Sequence, residues 1–364
     1  MADDRLLAKV HDLTDLELAL LLCLVSREHG LLSTPADALD HLVQELRLVA
    51  SRTFGLKCVV VDCTPETTLE QFASALLYPH RPPGSASFQP LAAESYFVSG
   101  PRPRSWRSAS PLTTAPSAQI ANCVLAKNLD RAPRAVQIQA LELLRTRRIF
   151  TRTSVQAAPK QFVFVPVVGA EAAGEAHVTA HLNDFFSIAH WHDPDDGFVN
   201  LEDMMDNGEA AEIASTDSVV RSKNLADSHV PSAAPFIAEA DISQLAQLSQ
   251  QVQVDVDVIR YQMNIISFLR MHRAVAQGVT PAATKHFDKL MRSLAPMHKL
   301  DYVTPALVGL AARKVYLHRI RITAPENERS MQWGSRLGAV EAMLENVGPD
   351  QVIQDVLDMV TAPL

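Results

Sequence analysis

Histidines and aspartates cluster in one stretch of this 364-residue chain, and such a cluster could bind a metal ion. The cluster consists of His177, His181, His190, His192, Asp193, Asp195 and Asp196. If the chain is extended at His190 and His192, both imidazoles lie on the same side of the backbone. The spacing is not that of a tetrahedral zinc site. We therefore interpret the stretch as a solvated acidic loop that follows a strand, and we expect no metal.

Arginines form a second set that could bind an anion or a nucleic acid. They lie in residues 81–107 and at Arg145, Arg147, Arg148 and Arg152. The first group is interleaved with few aromatic residues, among them Tyr96, Phe97 and Trp106, whereas single-strand binding uses a series of stacking aromatics. The formal net charge of −8 also argues against a general nucleic-acid binder. We interpret these arginines as a solvated surface and do not expect this chain to bind nucleic acid.

A third candidate site follows an apolar strand. The segment is Cys123-Val-Leu-Ala-Lys-Asn-Leu-Asp-Arg-Ala-Pro133, with Gln137 and Ala140-Leu-Glu-Leu-Leu144 in the helix behind it. It resembles the Walker B strand and following helix of AAA+ ATPases of the MoxR and magnesium-chelatase I-subunit group. That family places Asp and Glu after the strand, to hold magnesium and to position the attacking water. Lys127 and Asn128 stand at those two positions, and neither can do this as an anion or a base.

The second half of the chain carries further matches to the same family. Gly278-Val-Thr-Pro281 resembles its sensor 2 segment, while Asp301-Tyr-Val-Thr-Pro305 and Leu317-His-Arg-Ile320 resemble its closing motif. The resemblance covers roughly residues 10–322. It implies an α/β fold: an AAA+-like P-loop-NTPase core with a parallel, doubly wound sheet, followed by a small α-helical lid domain.

The resemblance also locates a nucleotide site, in which the expected residues are replaced. A Walker A loop needs glycines to wrap a phosphate, a lysine for its oxygens and Ser or Thr for magnesium. No glycine lies between Gly30 and Gly55, and no lysine lies between Lys9 and Lys57. Asp40 stands where the family has its lysine, followed by His41.

Three more family positions are changed. Gly169 takes the place of the sensor asparagine, Phe185 that of the arginine finger, and Ala282 that of the sensor 2 arginine. With both Walker motifs also lost, we do not expect ATP hydrolysis. The alternative is that the true alignment is shifted by a few residues and that a non-standard loop compensates.

Compared with the family, the charges at two positions are exchanged. Asp40 stands in place of the lysine, and Lys127 stands in place of the aspartate. We therefore hypothesise that these two side chains, or near neighbours, lie close together and fill the vacant nucleotide pocket with an ion pair or a bridging water. The alternative is that both side chains point to solvent.

Hydrophobic periodicity gives the domain organisation. Strands alternate with helices up to about residue 190, and the pattern is helical from Ile242 onward. We predict an α/β core at 1–190, a flexible acidic and Ser/Ala-rich loop and linker at 191–235, a helical lid at 236–322 and a C-terminal linker and helix at 323–364. The core includes a Pro/Ser/Arg-rich insertion at 79–118. In the lid, Ile259, Met263, Ile266 and Leu269 are predicted core residues.

Composition bounds the class of protein. Apolar residues make up 47% of the chain and charged residues 20%, which is typical of a globular protein. The apolar run at 16–25 is too short for a membrane span, which needs roughly twenty residues. Four cysteines without zinc spacing predict free thiols in a reducing compartment, so we expect a cytoplasmic or nuclear protein.

Two classes of function follow from these observations. The favoured one is a non-catalytic AAA+-like pseudo-ATPase, without cofactor, that acts as a scaffold, adaptor or regulatory subunit. Its partners would be proteins, such as an AAA+ or von Willebrand factor A-type protein, in a ring or hetero-oligomer. The alternative is an active ATP-dependent remodelling ATPase of the magnesium-chelatase or MoxR type, using ATP and magnesium. A third hypothesis is nucleotide binding without hydrolysis.

Overall fold

The computed structural model describes residues 4–78, 119–151, 155–204 and 235–363. The predicted insertion at 79–118 and most of the predicted linker lie outside the described residues. The domain boundaries proposed from the sequence therefore stay predictions.

Five parallel strands form the central sheet. The strands of the described chain are β1 (His29–Thr34), β2 (Cys58–Asp62), β3 (Leu77–Tyr78), β4 (Gln119–Ile120), β5 (Cys123–Lys127), β6 (Arg148–Phe150), β7 (Val155–Ala157), β8 (Val163–Gly169), β9 (Phe186–Trp191), β10 (Val275–Gln277) and β11 (Arg321–Ile322). The order across the sheet is β2-β5-β8-β1-β9, and the remaining strands form three two-stranded ribbons. Because all five strands run in parallel, the carboxyl ends of β1, β5 and β8 lie at one edge.

Helices cover both faces of the sheet and then form a separate bundle. They are α1 (Asp4–His11), α2 (Asp15–Ser26), α3 (Leu39–Leu48), α4 (Leu69–Ala75), α5 (Arg134–Thr146), α6 (Ala180–Asn183), α7 (Glu239–Gln251), α8 (Val256–Met271), α9 (Pro281–Met297), α10 (Pro305–Tyr316), α11 (Leu337–Leu344) and α12 (Pro349–Met359), with a further helical stretch at 199–204.

Alternating side chains along the strands build the two cores. Leu32 and Leu125 pack with α2 and α3 on one face, in a cluster that continues into the helical bundle. Leu31 and Val124 pack with α4 and α5 on the other face. Since β5 and β8 are covered on both faces, they are almost entirely apolar, as expected of central parallel strands. The structure confirms the predicted α/β core and helical lid.

Two predictions about the helical part are wrong. Ile266 and Leu269 are core residues, but Ile259 and Met263 are 38% and 46% exposed because they lie at the edge of the buried face of α8. The predicted C-terminal linker and helix at 323–364 contains two helices instead of one, α11 and α12. Pro349 begins the second helix and has no N–H to continue the first one.

Candidate nucleotide site

The connection between β1 and α3 occupies the position of a phosphate-binding loop. The chain turns tightly at 35–38, where the Ala38 N–H donates to the Pro35 carbonyl over 3.1 Å. Ala38 and Leu39 are buried, and both belong to the core under the sheet. A phosphate loop needs glycines so that its N–H groups can surround the ligand. Here apolar side chains anchor the turn to the core instead.

The turn also lies directly against the end of β8. A Cβ atom added at Gly169 would be 3.3 Å from both Cα and Cβ of Ala36. The Ala170 N–H donates to the Thr34 carbonyl over 3.0 Å and holds the two segments together. An asparagine at position 169 would therefore require the turn to move. The residue at the sensor position is a glycine that permits this close approach.

Asp40 and Lys127 form the ion pair that their exchanged signs predict. Lys127 Nζ lies 2.5 Å from Asp40 Oδ1 and bridges the end of β5 and the first turn of α3. A carboxylate is favourable at a helix N-terminus, where a phosphate would otherwise benefit from the same dipole. The Lys127 side chain is 18% exposed and that of Asp40 is 73% exposed. The pair therefore lies at the rim of the site, and the prediction that it fills a pocket is wrong in that respect.

The residues that follow each partner are explained by local structure. His41 is exposed, and its ring centroid lies 5.8 Å from that of Phe198. Asn128 adopts a left-handed conformation with φ 54°, and its N–H donates to the Val167 carbonyl over 2.9 Å. Asparagine tolerates this conformation better than most residues. Asn128 thus turns the chain from β5 into the 3-10 helix Leu129–Arg131.

Phe185 and Ala282 lie in two segments that meet at the junction between core and lid. Phe185 is half-buried and packs beneath the sheet, while Ala282 is half-buried in the first turn of α9. The two segments are joined because the Thr280 hydroxyl donates to Asp184 Oδ1 over 2.6 Å. Thr280 Oγ1 also caps α9 by accepting from the Ala283 N–H. Both positions therefore lie beside contacts that join the core to the lid.

Arg319 is the centre of that junction, a role that the sequence did not reveal. It is 3% exposed, and its guanidinium donates to the carbonyls of Phe186, Asp184 and Val315 over 2.6, 3.1 and 2.6 Å. Its Nε lies 3.4 Å from Asp184 Oδ1. Burial lowers the pKa of Arg319 to about 10, and the Asp184 carboxylate opposes that shift.

A second pair of hydrogen bonds flanks this arginine. Asn183 Nδ2 donates to the His318 carbonyl over 2.8 Å, and His318 Nε2 lies 3.0 Å from the Phe186 carbonyl oxygen. The only sequence signal was the segment 317–320, quoted above as a family motif of the lid. Its function as a clamp depends on contacts with residues more than 130 positions away.

The histidines at the end of β9 are not solvated, contrary to the prediction. His190 and His192 are both buried, and Lys314 Nζ lies 3.0 Å from His190 Nδ1. Burial lowers the pKa of His190 to about 3, and the Lys314 charge acts in the same direction. Asp193 and the aspartates after it are exposed, as expected. Within the described ranges, no group of three or more His, Cys, Asp or Glu is placed to hold a metal ion.

The cysteines agree with the sequence analysis. All four are free thiols, and three of them are buried. Burial raises the pKa of the Cys63 thiol to about 12. In the described part of the chain, no helix combines the length and the apolar character that a membrane crossing requires. The cellular compartment stays a prediction.

Comparisons with known proteins agree with the architecture. A family model described as an AAA lid domain matches residues 267–335. The uncharacterized protein YeaC of Bacillus subtilis is 24% identical over 130 residues, which span 36% of this chain and only 36% of YeaC. The crystal structure of a candidate ATPase from Cytophaga hutchinsonii matches with a TM-score of 0.61 and 14% identity, over 99% of this chain and 96% of that chain. The chain is therefore AAA+ ATPase-like in its fold.

Proposed function

We propose that this protein is a non-catalytic AAA+-like protein, a pseudo-ATPase that acts as a scaffold, adaptor or regulatory subunit by binding other proteins. The observation that carries the proposal is the Asp40–Lys127 ion pair, which puts a carboxylate at the expected phosphate clamp and a cation at the expected magnesium ligand. The turn at 35–38, packed on Gly169, supports it.

Electrostatics at Asp40 disfavour a triphosphate. Two like unit charges about 4 Å apart repel by roughly 1 kcal/mol in water and about 4 kcal/mol at an effective dielectric constant of 20. Because Asp40 is 73% exposed, the lower value applies, and because Lys127 offsets part of its charge, the carboxylate weakens phosphate binding by at most about fivefold. The missing lysine and the absent glycine cradle add to that loss, since they supply the attractive contacts in an active site.

Catalysis meets a separate obstacle at the end of β5. Magnesium needs carboxylate or other oxygen ligands, and the Lys127 ammonium repels it. Asn128 is neutral, and its backbone is committed to the turn after the strand. Neither residue can act as an anionic metal ligand or as a carboxylate base for an attacking water.

Function then rests on surfaces that bind proteins. In this proposal the partners are one or more proteins, for instance an AAA+ or von Willebrand factor A-type protein, in a ring or hetero-oligomer, and no cofactor is required. An AAA+-like fold does not by itself supply ATPase activity, because function depends on the residues of the site.

The test measures nucleotide binding and turnover on the purified full chain. A ligand at one hundred times its Kd stabilises the native state by about 2.7 kcal/mol, which would raise the Tm by several degrees. We expect no shift with millimolar ATP or ADP, with or without magnesium, and no phosphate release. The matched variant is Asp40→Asn, which removes the negative charge and keeps the side-chain shape. Comparing it with the wild type isolates the effect of the Asp40 charge on nucleotide binding.

Tight ATP binding with magnesium-dependent turnover would refute the proposal. A Tm shift without turnover would instead establish nucleotide binding without hydrolysis and contradict the absence of a cofactor. Affinity purification with mass spectrometry, repeated after deletion of 79–118, tests the protein-binding part. Recovery of no specific partner from the native source would contradict it.

A further inference from the structure

A basic cleft lies at the edge of the sheet opposite to the nucleotide site. It is a shallow cleft formed by the end of α2, the residues before β8 and the start of α7. Arg27, Arg147 and Lys160 line it. Because Arg27 precedes β1 and Lys160 precedes β8, the cleft is at the amino ends of the parallel strands, a strand length away from Lys127.

The three cations of the cleft have no ionic partner in the described residues. None of them has a carboxylate oxygen within 4.0 Å. Glu239 is the one acidic side chain of the described lining, so the cleft has an excess of positive charge. This excess is unusual on a chain whose formal net charge is −8.

Two of these arginines occupy positions where glycine is the preferred residue. Arg27 and Arg147 end α2 and α5 in the left-handed conformation, each with φ 54°. A side chain in this conformation costs about 1 kcal/mol relative to glycine, which is the usual residue at such helix ends. The helix dipole favours a cation at each end. The helix dipole does not explain why both arginines line the same cleft as Lys160.

We propose that this cleft binds an acidic peptide segment of a partner protein. Carboxylates of such a segment would supply the ionic partners that Arg27, Arg147 and Lys160 lack. The site is separate from the nucleotide site, so the proposal holds whether or not the protein hydrolyses ATP.

The observations favour a peptide over a nucleic acid. Nucleic-acid binding requires several cations along the backbone and aromatic faces for the bases. The cleft offers three cations, and its one aromatic side chain, Phe162, is 3% exposed and cannot stack on a base. The overall negative charge would also repel an extended polyanion.

The experiment measures fluorescence anisotropy of a labelled polyglutamate peptide with the full chain, without nucleotide. The double substitution Arg27→Gly and Arg147→Gly removes both charges and suits the left-handed backbone, so the fold should be retained. We expect binding to weaken about tenfold or more in this variant, and to weaken in the wild type as salt rises.

The chain offers a matched control in Lys299. It also has a positive φ, 62°, but it is paired with Asp4 and does not line the cleft. Lys299→Gly therefore makes the same kind of change at a single position elsewhere, and we expect unchanged peptide affinity. Lys160→Gln, at an exposed position, provides a second test that does not alter a helix end.

Equal affinity of the wild type and both cleft variants would overturn the proposal. So would tighter binding of a single-stranded oligonucleotide of matched charge than of the peptide. The assay contains no nucleotide, so its failure leaves the Tm and turnover results untouched and does not decide between ATPase and pseudo-ATPase.

Discussion

Replacing Arg319 by methionine should separate the contribution of the core–lid junction from the rest of the fold. The change removes the guanidinium and keeps much of its length and apolar stem. Three carbonyl groups, of Phe186, Asp184 and Val315, lose their charged donor. The Asp184 carboxylate loses its ionic partner but keeps the Thr280 hydroxyl as a donor.

The size of the effect follows from burial. Removing one partner of a buried ion pair costs about 3–5 kcal/mol, and an unsatisfied buried carbonyl costs about 1–3 kcal/mol. The Arg319 side chain is 2% exposed, whereas that of Asp184 is 28% exposed, so water can compensate Asp184 in part. We expect Arg319→Met to lower the free energy of unfolding by about 3–5 kcal/mol. Asp184→Asn keeps the carbonyl contacts, so we expect a smaller loss of about 1–2 kcal/mol.

The assay is urea unfolding at pH 7, followed by circular dichroism. Arg260→Met is the control, because it makes the same change on α8 in an exposed ion pair with Asp257. Its side chain is 74% exposed, and the expected effect is below about 0.5 kcal/mol. If Arg319→Met costs no more than this control, the buried clamp is not a significant source of stability and the argument from its geometry fails.

Three further predictions concern the nucleotide site, the lid and pH. In a double-mutant cycle on Asp40 and Lys127, urea unfolding should give a coupling free energy of about 0.2–1 kcal/mol, because the pair lies at the exposed rim of the site. A coupling above about 2 kcal/mol would contradict that placement. Gly278→Ala should destabilise the lid by more than about 3 kcal/mol, since the new Cβ would lie 2.0 Å from a carbonyl oxygen at φ 120°. A wild-type Tm in the variant would refute this. Burial lowers the folded pKa of His29 and His190 to about 3, below the unfolded value of about 6.5. The unfolded chain therefore binds more protons between these values, and stability present above about pH 6.5 should be lost as the pH falls, by about 1.4 kcal/mol per pH unit per histidine. Replacing His190 by Gln should flatten the pH dependence of urea unfolding, and an unchanged slope would contradict the assignment.

The sequence predicts the sheet well, because parallel strands covered on both faces leave a direct signal. Continuous apolar runs mark β5 and β8, and turns or helix starts follow them. The contact between Asp40 and Lys127 could also be anticipated. Both follow strands of one parallel sheet, and the carboxyl ends of such strands meet at one edge.

Other features depend on packing that local patterns do not contain. His190 is buried because Lys314 of α10 covers the edge strand, and the two residues are 124 positions apart. The apolar residues of α8 extend beyond its buried face, so Met263, at the edge of that face, is exposed. A pattern of apolar residues indicates which faces could be buried, and the docking of other elements decides which are.

The core–lid junction connects stability to the proposed function. Arg319, His318 and Asn183 join the two parts through protein atoms alone, with a hydroxyl from Thr280. The loss expected for Arg319→Met is a large fraction of the roughly 5–15 kcal/mol that stabilises a typical native protein. These contacts hold the lid against the core through groups of the chain itself. Surfaces on the core and on the lid are then presented to a partner in a constant arrangement, which is what a scaffold requires and a nucleotide-driven motor would have to break in each cycle.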